Sequence, residues 1–208
     1  SRRTKFWKNI DLSIPEHRQH VLALYDGGIL YADSVFNMVL DVLRKERIYN
    51  DSLVVFLSDH GEEFYEHLGK SHGQLFIESI HVPLIIKFPD AKYAGKRIAP
   101  IVRTMDVAPT ILEIVDIEPA ETMDGISILP LLTQERKYQP PLISYSDDSR
   151  FLRFQKEDVV FIEKSEPSGE AWLIDRATDP VEQNNLADKN PEKLEKMKAD
   201  AAASFSNQ

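Results

Sequence analysis

The chain has 208 residues, enough to bury a substantial core, and its 42% hydrophobic and 28% charged residues are those of an ordinary globular protein. A net charge of −9 argues against nucleic acid as a general partner, because neutralising phosphates takes a basic surface. The absence of cysteine excludes disulfides; no apolar run reaches membrane-spanning length, and the opening Ser1-Arg2-Arg3-Thr4-Lys5-Phe6-Trp7-Lys8 lacks the apolar core of a signal peptide.

The first predicted element is a helix from Asp26 or Gly27 to about Arg47, with Ala32, Val35, Phe36, Val39, Val42 and Leu43 at helical spacing on one face. Asn50-Asp51 turns the chain into a strand over 53–57, whose apolar run reads as buried on both faces, as in a parallel sheet. The segment 61–73 is too polar and too rich in glycine for core. A helical turn over 76–80 leads into a second buried strand over 82–88, ended by Pro89-Asp90. A short strand is expected over 98–102. Asp106 then caps a helix through Val115, with Pro109 tolerated in its first turn. This alternation predicts an α/β fold, part of a mainly parallel sheet with flanking helices.

After Asp124 the character changes. Pro140-Pro141 punctuates the chain, and short strands over 142–145, 151–154, 159–163 and 171–174 predict a small antiparallel sheet. A terminal amphipathic helix over 191–205 places Leu194, Met197, Ala201 and Phe205 on one stripe, which reads as core packing. The expected division is therefore 1–135 for the α/β part and 136–208 for the small sheet with its helix.

Chemistry is expected where the strand over 53–57 ends in Ser58-Asp59-His60-Gly61, since ligands of open α/β sheets collect beyond the carboxyl ends of strands. Gly61 permits a tight turn that lets an Asp oxygen and a His nitrogen converge, which is half of a metal site. Taken alone, Asp59 reads equally as a turn or capping residue and His60 as a loop histidine.

The segments that follow carry a family likeness. His67-Leu68-Gly69-Lys70-Ser71-His72-Gly73 leads to Glu78 and then to His81-Val82-Pro83-Leu84-Ile85-Ile86. Upstream stands Leu24-Tyr25-Asp26-Gly27-Gly28-Ile29. Downstream stand Asp106-Val107-Ala108-Pro109-Thr110, Asp124-Gly125-Ile126-Ser127 with Pro130-Leu131-Leu132, and Asp179-Pro180-Val181-Glu182 with Asn185-Leu186. In this order they resemble the carboxyl-terminal half of the sulfatase domain of the alkaline phosphatase superfamily, over about residues 24 to 190.

The resemblance implies a metal-dependent hydrolase of sulfate esters, with Asp59 and His60 on one divalent cation and His72 as the catalytic contact to the substrate. It implies Lys70 and His67 as further cationic substrate-binding candidates. Calcium is the first expectation for the ion, although the imidazole of His60 suits manganese or zinc better. Glu62, Glu63 and Glu66 read as solvated loop carboxylates or a cap, His81 as structural, Asp106 as a cap and Asp124-Gly125 as a turn. The family's formylglycine arises from Cys or Ser in a Cys/Ser-x-Pro-x-Arg segment. The nearest counterpart, Ser13-Ile14-Pro15-Glu16-His17, has His for Arg and falls too late in the chain. The nucleophile and the first-strand aspartates are therefore expected upstream, and this chain is expected to need its own amino-terminal half for activity. Two alternatives remain open: a phosphonate or phosphodiester hydrolase or transferase of the same superfamily, and a non-catalytic scaffold. The expected partner is an anionic ester substrate; a periplasmic, secreted or lysosomal location is implied only by the family.

Overall fold

The computed structural model describes residues 8–133, 142–145, 151–164 and 169–205. They fall into two units, 1–94 and 95–208. The expected boundary at 135/136 and the Pro140-Pro141 dipeptide lie outside the described residues.

In the first unit, α1 spans Pro15–Lys45 and starts eleven residues earlier than Asp26, the predicted start. Proline at the first position is already set for the helical φ, and its missing N–H would have had no partner there. Gly27 and Gly28 are carried inside the helix instead of opening it. Half of the predicted apolar face is engaged: Val35, Phe36 and Leu43 are half-buried, whereas Ala32, Val39 and Val42 are exposed. The ring of Phe36 lies 5.0 Å from that of Phe56 and ties α1 to the strand that leads into the site. Near the start of α1, Leu12, Val21 and Phe64 form a small core, with the Phe64 ring 5.0 Å from that of Tyr25.

That strand, β1, spans Val54–Leu57. Two strands of two residues follow, β2 (Glu63–Phe64) and β3 (Lys70–Ser71), then a single helical turn, α2 (Ile77–Ile80), and β4 (Leu84–Lys87). β1 and β4 pair antiparallel, Val54 opposite Lys87 and Leu57 opposite Leu84. The parallel pairing expected for these strands is not what they form, and no parallel pair occurs among the described strands. A parallel return needs a crossover, usually a full helix. Here 58–83 holds only a short ribbon and one helical turn, and the chain doubles back. Nor is β1 buried on both faces: Val54, Val55 and Phe56 are half-buried, and Leu57 is 38% exposed.

In the second unit, the strand expected over 98–102 is absent; Pro100 has no N–H to give to a ladder. α3 spans Val107–Ile114 and α4 spans Pro130–Thr133. Asp106 does not cap α3 with its side chain. It is fully buried and accepts from the Arg103 amide (3.0 Å), the Arg103 guanidinium (2.7 Å) and the Ile126 amide (2.8 Å). Thr110 Oγ accepts from the Ile128 amide at 2.9 Å, so the Asp106–Thr110 and Asp124–Ser127 segments are laced together by buried polar groups. A Cβ on Gly125 would stand 2.1 Å from the Met105 carbonyl oxygen, and that approach requires glycine.

The four strands β5 (Leu142–Tyr145), β6 (Phe151–Lys156), β7 (Val159–Lys164) and β8 (Ala171–Asp175) form the predicted antiparallel sheet in chain order. Phe154, Phe161 and Leu173 on one face pack against Ala187 and against Met197 and Ala201 of α5, which spans Pro191–Phe205. Leu194 joins this core as predicted; the Phe205 side chain lies outside the described residues. On the opposite face, Arg153 is 2% exposed and makes a two-pronged ion pair with fully buried Glu182, both bonds 2.7 Å.

Candidate functional site

β1 delivers the chain into a turn held by its own polar groups. Ser58 Oγ donates to the His60 carbonyl (2.8 Å), and the His60 amide donates to Asp59 Oδ1 (3.0 Å). That backbone hydrogen bond is the main reason the Asp59 carboxyl is held below its ordinary range, with the His60 ring second. The second oxygen of Asp59 lies 3.8 Å from His60 Nε2, so the two side chains share one side of the turn. His60 Nδ1 is 2.7 Å from the Gly61 carbonyl, a contact that needs the proton on Nδ1 and leaves Nε2 as a lone-pair donor.

Gly61 fixes this turn from behind. Its amide donates to the Ser79 carbonyl at 2.8 Å, and a Cβ on it would sit 1.9 Å from the Glu78 carbonyl oxygen. No side chain larger than hydrogen fits without displacing α2.

Residues 61–73, expected to be irregular, contain a two-stranded antiparallel ribbon with Glu63 opposite Ser71 and Phe64 opposite Lys70. Glu63 is 1% exposed, not solvated as its polarity suggested. It accepts from the amides of Gly69 (2.9 Å) and His67 (3.0 Å) and from the Gln74 side chain (3.1 Å), so a buried carboxylate closes the ribbon. Burial pushes its carboxyl above the ordinary range against those amides.

His72 leaves the ribbon after Ser71 and stacks on His60, ring centroids 3.8 Å apart at 27°. Its Nδ1 is 3.3 Å from Glu62 Oε2 and 3.1 Å from Ser71 Oγ. The structure thus brings Asp59, His60 and His72 to one place, and adds Glu62. The ligand atoms of His60, Glu62 and His72 all lie within 4.8 Å of one another. Sequence reading set Glu62 among the solvated loop carboxylates or caps, because its place beside His72 depends on the ribbon that joins Glu63 to Ser71.

Lys70 is exposed on β3. The side chain of His67 is only 2% exposed, its ring stacked 3.6 Å from Phe76 and its Nδ1 3.1 Å from Glu78. His67 is thus packed inside the loop, unlike His60 and His72, whose side chains are 42% and 41% exposed. Ligand donors suited to a divalent ion are present, two of them at Asp59 and His60.

The family model for sulfatases matches residues 3–117, and that for the carboxyl-terminal part of N-sulphoglucosamine sulphohydrolase matches 66–203. Among curated relatives, arylsulfatase K of Xenopus laevis is 27% identical over 93% of this chain and 39% of its own length. A 2-O GAG sulfatase structure superposes with a TM-score of 0.79 at 22% identity, over 92% of this chain and 44% of that one. The phosphonate monoester hydrolase of Agrobacterium radiobacter gives 0.77 at 20% identity, over 93% and 43%. At such identities the superpositions speak for the fold alone. The chain spans well under half the length of the proteins it matches. With the sulfatase model covering more than half of its residues, the chain belongs to the sulfatase family.

Proposed function

We propose that this chain is the carboxyl-terminal part of a metal-dependent sulfate-ester hydrolase, working together with an amino-terminal half that supplies the nucleophile and further ligands. The observation that carries this reading is the meeting of Asp59, His60 and His72 at the exit of β1 in a chain of this family. Asp59 and His60 fit part of a cation site: a carboxylate kept ionised by the His60 amide, and an imidazole whose Nε2 lone pair is set by the Gly61 carbonyl. Two protein ligands bind weakly, and three or four are normal, so the upstream carboxylates would complete the site. When bound, such a cation polarises the ester oxygens and lowers the pKa of a coordinated nucleophile. Calcium is our first assignment, manganese or zinc the alternatives.

His72 would touch the ester, its imidazolium hydrogen-bonding the developing negative charge or protonating the departing alcohol. Lys70 supplies a second cation on the same ribbon. The buried ring of His67 serves this reading by holding the loop rather than by reaching substrate. The other strands of a mainly parallel sheet, and the boundary we place at 135/136, would likewise be completed by the whole domain.

The test is a peptide map by mass spectrometry of the full-length protein. A formylglycine in the upstream strand segment supports sulfate-ester hydrolysis. An unmodified Ser or Thr there moves the reading to phosphonate or phosphodiester hydrolysis, which the likeness to a phosphonate monoester hydrolase and the imidazole at position 60 favour as the second choice. In that full-length protein, His72→Ala is expected to lower kcat by about 10²–10⁴-fold. Robust sulfate release by the 208-residue chain alone would overturn the fragment reading.

A further inference from the structure

The side chains gathered at the β1 exit do more than meet the needs of a hard cation. Glu62 and His72 flank the Glu63–Ser71 pair that ends the β2–β3 ribbon, one residue beyond it on either side. Their side chains already approach to 3.3 Å. His60 is held across from them by the Gly61–Ser79 hydrogen bond, with its Nδ1 proton turned to a backbone carbonyl. That is the usual arrangement of a ligating histidine, whose second nitrogen is fixed by an acceptor. The three side chains are 42%, 22% and 41% exposed, open enough for an ion to enter and for the rings to adjust.

We propose that His60, Glu62 and His72 form a binding site for a borderline divalent transition ion such as zinc, with a donor set distinct from the Asp59–His60 pair. Two imidazoles and one carboxylate, with a water in the fourth position, suit zinc and disfavour calcium, which takes six or more oxygens. Ligand atoms of a four-coordinate zinc lie about 3.3 Å apart, given bonds of roughly 2.0 Å. The observed spread of up to 4.8 Å closes by rotation of the two exposed rings. An ion held there engages both His60 and His72, taking the first from the Asp59–His60 cation site and the second from the ester. Zinc would therefore inhibit; that consequence rests on the proposed function, whereas the binding itself does not.

The test is calorimetric titration of the full chain with zinc chloride and, separately, calcium chloride, with cobalt(II) absorption reporting a four-coordinate site. One zinc per chain is expected, displaced little by calcium. Glu62→Gln and His72→Asn are each expected to weaken zinc binding by about 10-fold or more, and Asp59→Asn to change it by less than about 3-fold. Circular dichroism confirms that each variant is folded. No zinc binding, or loss of binding in Asp59→Asn with Glu62→Gln unaffected, overturns the proposal. Because the readout is binding, finding no formylglycine upstream would sink the sulfate-ester reading and leave this result standing.

Discussion

Replacing Glu182 by alanine tests how the small sheet is held together. The Arg153 guanidinium is 2% exposed and gives two bonds of 2.7 Å to that one carboxylate; Arg176 approaches it at 3.4 Å. Removing one partner of a buried ion pair costs about 3–5 kcal/mol, because the other charge stays desolvated. Two features pull the figure to the lower end. Gln155 keeps a bond of 3.3 Å to Arg153, and Arg176, 22% exposed, can turn to water. The left-handed φ of 60° at Glu182 contributes nothing to the difference, since alanine meets the same penalty as glutamate there. A loss of about 3 kcal/mol, with a urea slope of about 2 kcal/mol per molar, lowers the unfolding midpoint by roughly 1.5 M. The double variant Arg153→Met, Glu182→Leu is expected to recover most of that loss, because two apolar groups leave no buried charge. Urea titration followed by the fluorescence of Trp172, which lies on β8 of the same sheet, reads both. A Glu182→Ala midpoint within about 0.3 M of the parent, or a double variant as weak as the single, would refute the reasoning.

Two further outcomes follow from the site. Gly61→Ala forces a Cβ against the Glu78 carbonyl and should cost about 1–3 kcal/mol, with weakened cation binding at Asp59 and His60; an unchanged melting temperature would show that the turn yields freely. The raised carboxyl of Glu63 makes the folded chain bind more protons than the unfolded one above the ordinary Glu range. Its stabilising contribution is therefore complete at pH below the unfolded value and is lost as pH rises through the folded one. Glu63→Gln should flatten that dependence in urea titrations run across the weakly acid range, and an unaltered slope would remove Glu63 from the account.

Much of the second unit was legible because its signals are local. The alternation in 142–174, broken by turn residues, gave all four strands, and the Leu194–Met197–Ala201 spacing gave the docking face of α5. The strand ahead of Asp59 was equally readable from its apolar run, whereas the approach of Asp59 to His60 was one of two readings, the other being a turn residue beside a loop histidine. The early start of α1 was missed because Gly27-Gly28 looked like a boundary, although the helix tolerates both on an open surface.

What the sequence determined by itself is the family, the longer helices and strands and the presence of Asp59 and His60 at the end of β1, because these rest on residue identity and on periods of two or 3.6 along the chain. What only the tertiary structure decided is the direction of the β1–β4 pair, the burial of Glu63 and His67, and the meeting of Glu62 with His60 and His72. Each of these depends on pairing or packing between residues that are not neighbours along the chain. A carboxylate carries the same letter whether it is solvated or closes a ribbon, so its role becomes visible only when its neighbours in space are known.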